Sequence, residues 1–341
     1  MYIENNVIKK QISIWLIFMF CLVAFMIIVG GLTRLTDSGL SITEWELFSG
    51  IFPPFNDQSW ILYFDLYKKI PEYKIQNFTM TLDEFKIIFW WEWAHRFLGR
   101  VIGITFIIPL IFFTIKIGFN KLINLYFIFI LICIQGFIGW YMVSSGLVDR
   151  VDVSHFRLSL HLAVAFLILS MILWNYFKIN IKINDSNKIN IFFPVVFLIL
   201  IFLQIIVGAF VSGMDAGLIY NSWPLMGNTY FPDDNQFLNL FNISVFNDAS
   251  LIQFIHRNLA YLIVIFYFLI FTKIYKNQIR NSFFAINTLG IILLLQITLG
   301  ILTLINGVQI ALASMHQISS IFLISASIYF LFINKNNKLS I

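Results

Sequence analysis

Charge is scarce in this chain. Only 11% of its 341 residues are Asp, Glu, Lys or Arg, against about 25% in ordinary soluble domains. With 60% hydrophobic residues, a soluble globule of this size is excluded. Cysteine is nearly absent too: Cys21 and Cys133 are the only two, and both fall inside apolar runs. They read as buried small hydrophobes, because free cysteine is among the most buried residue types. No loop carries a cysteine, so no disulfide framework is available. The opening Met1-Tyr2-Ile3-Glu4-Asn5-Asn6 lacks the Arg-rich, acid-poor character of a mitochondrial transit peptide. No Ala-x-Ala cleavage site follows the first apolar run, which therefore reads as an anchor. Strict alternation is missing as well. Runs such as Ile104-Thr105-Phe106-Ile107-Ile108 do not alternate, which argues against a membrane barrel.

What is present is length of apolar sequence. Eight runs stand out, at roughly 12–32, 87–114, 121–142, 158–177, 190–212, 252–272, 282–304 and 309–333. Crossing a bilayer takes about 20 residues, and backbone groups in lipid must be satisfied internally, so these are predicted helices. The expected fold is an all-α membrane protein with eight transmembrane helices. Charge sets the expected orientation. With the N-terminus inside, the inner segments run from Lys9 and Lys10 to Lys335 and Lys338, with only Glu4 and Asp185 as acids. The outer loops hold Asp215, Asp233, Asp234 and Asp248, and the 213–251 loop has no Lys. This positive-inside pattern predicts a multi-pass protein of a bacterial inner membrane with both termini cytoplasmic; a mitochondrial inner membrane is the weaker alternative. It also accounts for the net charge of +5 without nucleic acid.

Two motifs echo each other. Glu92-Trp93-Ala94-His95-Arg96 opens one span, and Gln253-Phe254-Ile255-His256-Arg257 opens another 161 residues later. The same offset relates Gln135 to Gln296, Gly139 to Gly300 and Gly146 to Gly307. His161 and His316 pair at a nearby offset. Two halves are expected, 1–180 and 181–341, each a four-helix bundle, related by a parallel internal repeat. Each half has one long outer loop, 33–86 and 213–251, and long loops in compact proteins are usually functional. Thr81-Leu82-Asp83-Glu84 reads as a capping box that starts the second span.

Four of the five histidines, His95, His161, His256 and His316, lie in spans that enter from the outside. Polar residues inside membranes are expensive and tend to mark function. Any one of these could instead be a helix-packing residue. As two pairs they suit a bis-imidazole heme, which takes one histidine from each of two helices. Gly99 and Gly103 share a face with His95, either to clear space for a flat ligand or to let helices pack closely. Ala165 and Ala260 hold comparable places after His161 and His256. A bare zinc or iron site would want carboxylates in a tight cluster, and the spans contain one, Glu92. That residue reads either as a structural i,i+4 partner of Arg96 or as a proton-handling acid. Its counterpart Gln253 cannot titrate. Arg34, Arg96, Arg100, Arg157 and Arg257 lie near the outer helix ends, as heme-propionate partners or as interfacial anchors. His155 falls on another face from His161 and reads as interfacial.

The chain resembles heme A synthase. The likeness runs through Gly30-Gly31-Leu32-Thr33-Arg34-Leu35-Thr36, Ser38-Gly39-Leu40-Ser41, Trp45, Pro53-Pro54, Pro71-Glu72 and Trp91-Glu92-Trp93-Ala94-His95-Arg96. It continues in Gln135-Gly136-Phe137-Ile138-Gly139-Trp140, Arg157-Leu158-Ser159-Leu160-His161, Asn221-Ser222-Trp223-Pro224-Leu225-Met226 and His256-Arg257. The resemblance implies oxidation of the C8 methyl of heme O to a formyl group, giving heme A for terminal oxidases. It implies heme b as cofactor on His256 and His316 with Arg257 nearby. It places substrate heme on His95 and His161 and a catalytic role on Glu92. Implied partners are heme O, a heme O synthase, oxidase assembly factors and an electron donor or acceptor; a homo-oligomer stays open. Lacking loop cysteines, the chain resembles the cysteine-free subclass, without a thiol relay. The competing reading is a non-enzymatic bis-histidine electron carrier or heme transporter.

Overall fold

The computed structural model describes residues 5–46, 49–148, 150–182 and 187–335. Glu4, Asp185 and Lys338, used in the charge pattern, lie outside the described residues, as does the Met1–Glu4 stretch. Among the described residues the structure is helical, with no strand beyond an isolated bridge between Met226 and Thr229. Among the described residues eight helices are long and apolar enough to cross a membrane. They are α1 (Asn6–Leu35), α4 (Leu82–Ile117), α5 (Ile123–Gly146), α6 (His155–Asn180), α7 (Phe192–Gly213), α8 (Ala249–Lys276), α9 (Phe283–Ile305) and α10 (Ile310–Asn334). Two shorter helices, α2 (Asp57–Tyr67) and α3 (Pro71–Ile75), lie in the first long loop.

Large apolar side chains point outward along the long helices, among them Phe25, Phe112, Ile130, Phe268 and Ile291. Lipid is as apolar as such side chains, so their exposure carries no penalty in a bilayer. Cys21 and Cys133 depart from the expected burial on the same ground. Both sit within spans but are exposed on the helix surface, because a membrane protein need not bury its apolar face.

The chain divides into two compact units, Phe18–Ile168 and Met1–Ile17 with Leu169–Ile341. In the first, α4 starts at the expected capping box: the Thr81 side chain accepts from Glu84 N, and the Glu84 side chain accepts from Thr81 N. The 33–86 loop was expected only as a long loop, yet it folds. Asn56 caps α2 by accepting from Ser59 N, and Pro71 occupies the first turn of α3, where its missing N–H costs nothing. Trp60, Phe64 and Tyr67, on one face of α2, pack on Phe85 and Phe89 of α4, with ring centroids 5.0–5.2 Å apart for Trp60–Phe89, Phe64–Phe85 and Tyr67–Phe85. Leu40, Ile42, Ile70, Ile88 and Val153 complete this core. The loop is thus fixed over the first turns of α4.

In the second unit, α7 packs on α8 and α10, and α9 on α10. Asp248 caps α8 by accepting from Leu251 N, and Val207, Phe210 and Ile252 form a buried cluster beneath the 213–251 loop. At the other end, buried Asn334 accepts from Ser282 Oγ at 2.9 Å and from Ile189 N at 3.2 Å, tying the short connections to α10.

Candidate heme sites

Each of the four span histidines faces a glycine on a different helix. A Cβ added at Gly30 of α1 would lie 2.8 Å from His95 Cε1, and one at Gly139 of α5 would lie 3.0 Å from His161 Cε1. In the second unit, Gly208 of α7 stands 3.1 Å from His256 Cε1, and Gly300 of α9 stands 2.8 Å from His316 Cε1, by the same measure. Only glycine leaves room for an imidazole this close. Gly139 and Gly300 stood out in the sequence as repeat anchors. Their pairing with imidazoles, and that of Gly30 and Gly208, is a tertiary contact with no local signal. Gly103 has open space within 4 Å, whereas Gly99 faces the Met26 methyl. Gly146 and Gly307 share the repeat offset but not a role: Gly146 packs against Leu40, and Gly307 supplies a turn with φ of 65°.

The His95 and His161 rings lie 6.4 Å apart, centroid to centroid. That separation suits one metal ion between them, with metal–nitrogen bonds of about 2 Å on either side. Nδ1 of each is buried without a hydrogen-bond partner, a costly state that a ligand would relieve. In the second unit Gln204 Nε2 lies 3.2 and 3.3 Å from the His256 ring nitrogens, and Gln296 Nε2 lies 3.3 and 3.5 Å from those of His316. Among the described residues no group of three His, Cys, Asp or Glu could hold a bare metal ion. Two imidazoles, each admitted by a facing glycine, are the donor set of a heme, and the residues fit that group.

Glu92 is buried, and four donors converge on it. Ser41 Oγ and Ile42 N donate to one oxygen at 2.7 and 2.8 Å, and Arg96 Nε and an Arg96 terminal nitrogen donate to the other at 3.1 and 2.7 Å. The i,i+4 ion pair therefore forms, inside the protein rather than on an open helix face. Arg96 also donates to the Ile42 and Glu44 carbonyls, and Arg100 to that of Glu46. The matching residues of the second unit do the same work without a carboxylate. Gln253 donates to the Tyr220 carbonyl, and Arg257 to those of Tyr220, Ser222 and Leu225. Each motif pins its long loop to a histidine-bearing helix. That the basic side chains would serve loop carbonyls was not legible in the sequence. Arg34 pairs with Asp37 at 2.6 Å; Arg157 donates to Ser145 and stacks over Tyr141. His155 opens α6 with its ring against Phe156.

Sequence reasoning gave Glu72 no role beyond the resemblance. It is 2% exposed in the folded loop, with Asn77 Nδ2 3.5 Å from one oxygen. Burial, then the charges of Glu92 and Asp152, push its pKa from the ordinary 4.5 up to about 8. An acid raised on folding stabilises the fold while protonated and loses that contribution as pH climbs from its unfolded value through its folded one. Cleavage of the 33–86 loop by added protease should thus be faster at pH 9 than at pH 7, and Glu72→Gln should abolish the difference. Equal cleavage of the parent protein at both values would contradict this assignment.

The chain matches the family model described as Cytochrome oxidase assembly protein over residues 13–328. A protein of Pelagibacter ubique named Heme A synthase is 50% identical over 342 residues, covering 99% of this chain and 100% of the relative. Heme A synthases of Rickettsia bellii and Flavobacterium johnsoniae are 41% and 40% identical, covering 96% and 94% of this chain and 100% and 97% of the relatives.

Proposed function

Because the chain belongs to the heme A synthase family, a multi-pass membrane enzyme family of heme A biosynthesis and oxidase assembly, we propose that it oxidises the C8 methyl of heme O to a formyl group using a bound heme b. The observation that carries this reading is the pair of glycine-cradled histidine pairs, alike in construction but unequal in charge. The first has the buried carboxylate Glu92 beside it and the second the amide Gln253.

His95 and His161 hold the substrate heme iron, and His256 and His316 that of heme b. When bound, heme b supplies reversible one-electron transfer. The chain's own residues do the rest. Gly30 and Gly139 admit the substrate-side imidazoles. Arg96 and Glu92 hold the 41–46 segment against α4, which limits water near the reacting group. Glu92, three residues before His95, holds or releases protons at its carboxylate. Arg257 Nε is buried without a hydrogen-bond partner, a donor suited to a propionate; Arg34, Arg96, Arg100 and Arg157 are the other candidates. The two halves, 1–180 and 181–341, arose as a parallel repeat. The equivalence of Gly139–His161 with Gly300–His316 supports this, as does that of Gly30–His95 with Gly208–His256. Both termini are cytoplasmic on the positive-inside pattern.

Extraction of heme from cells co-expressing this chain with a heme O synthase tests the reading. Heme A is expected. Heme O alone, with the protein folded and carrying heme, would favour the non-enzymatic carrier.

A further inference from the structure

We propose that Met26 makes His95 the exchangeable ligand of the substrate site, the one whose bond to iron opens to admit and release heme. The inference rests on the substrate-site assignment above. Four helices present a glycine to a histidine, and the residue four positions before each glycine, one helical turn away on the same face, can be compared. Three are glutamines, Gln135, Gln204 and Gln296; the fourth is Met26. Gln135 Nε2 donates to the His161 carbonyl at 2.9 Å, and Gln204 Nε2 to that of His256 at 3.1 Å. Gln296 bridges the ring of His316 and Ser319 Oγ, and its backbone carbonyl lies 3.1 Å from His316 Nδ1.

Each glutamine thus pins the glycine-bearing helix to the helix of its histidine, beside the ligand. Gln204 and Gln296 also reach the imidazole nitrogens, and such outer partners fix the orientation of a metal-binding ring; Gln135 fixes only the helix that carries His161. Met26 offers no donor. Its methyl lies against Gly99, one turn beyond His95, 3.5 Å from where a Cβ would stand. A thioether there fills space adaptably without fixing a position. The α1–α4 hydrogen bonds are long and lie away from the ring, Thr33 Oγ1 to the Trp91 carbonyl at 3.5 Å and Thr105 Oγ1 to the Met19 sulfur at 3.6 Å, so this slot is held less tightly beside its histidine than the other three. A site that must take up one heme and release another needs one yielding ligand; a resident cofactor needs none.

The test is carbon monoxide binding to the reduced full-length protein, carrying heme b and loaded with heme O. The gas occupies a six-coordinate heme only after a histidine leaves, so its rate reports ligand opening, with no electron transferred. In the parent protein the heme O site should bind it faster than the heme b site. Met26→Gln should slow binding at heme O about two- to tenfold, the factor one hydrogen bond supplies, and leave heme b unchanged. Met26→Leu should leave both rates unchanged. If Met26→Gln does not fold, Gln204→Met reads the same device in reverse and should speed binding at heme b. An unchanged rate in Met26→Gln, or in Gln204→Met, overturns the proposal. Failure of the parent protein to take up heme O as a low-spin species would instead remove the site assignment beneath it.

Discussion

Replacing Glu92 by glutamine is expected to stop heme A formation while heme b stays bound. Two effects act together. As a proton-handling group, a carboxylate is worth about 10²–10⁴-fold in rate, and an amide supplies none of it. As an anchor, Glu92 accepts from four donors, whereas an amide has one acceptor oxygen and presents its own N–H groups to the others. Breaking one side of a buried ion pair typically costs about 3–5 kcal/mol, so the 41–46 segment should loosen as well. Ser41→Ala separates the two. It removes one donor at 2.7 Å but keeps the carboxylate and its charge. It should retain most heme A production, whereas Glu92→Gln should fall at least a hundredfold on the acid–base estimate. The readout is the heme A to heme O ratio in extracts, with the heme b spectrum as internal control. Normal heme A output from Glu92→Gln would remove the acid role.

A side chain at Gly300 should empty the heme b site. Glycine in a helix costs about 1 kcal/mol relative to alanine, so Gly300→Ala should stabilise α9 if packing allowed it. Its Cβ would stand 2.8 Å from His316 Cε1 and 3.3 Å from Nδ1, and a ring held in a packed slot has little room to retreat. Heme b content in the purified protein should fall about tenfold or more for Gly300→Val, a loss of at least about 1.4 kcal/mol, with a smaller loss for alanine. Gly208→Ala, where the contact is 3.1 Å, should be milder. Gly103→Ala, with open space around it, should have no effect on heme b. Equal heme b content across the series would show that the glycines do not shape the ligand slot.

The eight spans were legible because length and hydrophobicity suffice when the solvent is lipid. Which face of a span points inward was not. A membrane helix is apolar all round, so periodicity says little about orientation, and Cys21 and Cys133 were accordingly misjudged. The four histidines could be picked out because ionisable groups in spans are rare. Gln135, Gln296, Gly139 and Gly300 stood out only as repeat anchors; that they face the histidines was not legible, since each contact joins two helices and leaves no local signal. Part of the loop structure was available in local signals that a reading by length passed over: the Asn56 cap, the Trp60, Phe64 and Tyr67 face, and Pro71 in the first turn of α3. The Arg96 and Arg257 contacts show a different limit. A charged side chain beside a candidate ligand reads as a propionate partner, and sequence gives no hint of the loop carbonyls it also serves, while Arg257 Nε keeps a donor without a partner.

The central claim is that this chain turns heme O into heme A. The direct measurement uses purified protein carrying heme b, supplied in vesicles with heme O, a reductant and oxygen, with the extracted hemes identified by mass over time. Heme A should accumulate in the parent protein and not in Glu92→Gln. Recovery of heme O unchanged, from protein whose heme b is reduced and reoxidised normally, would contradict the account.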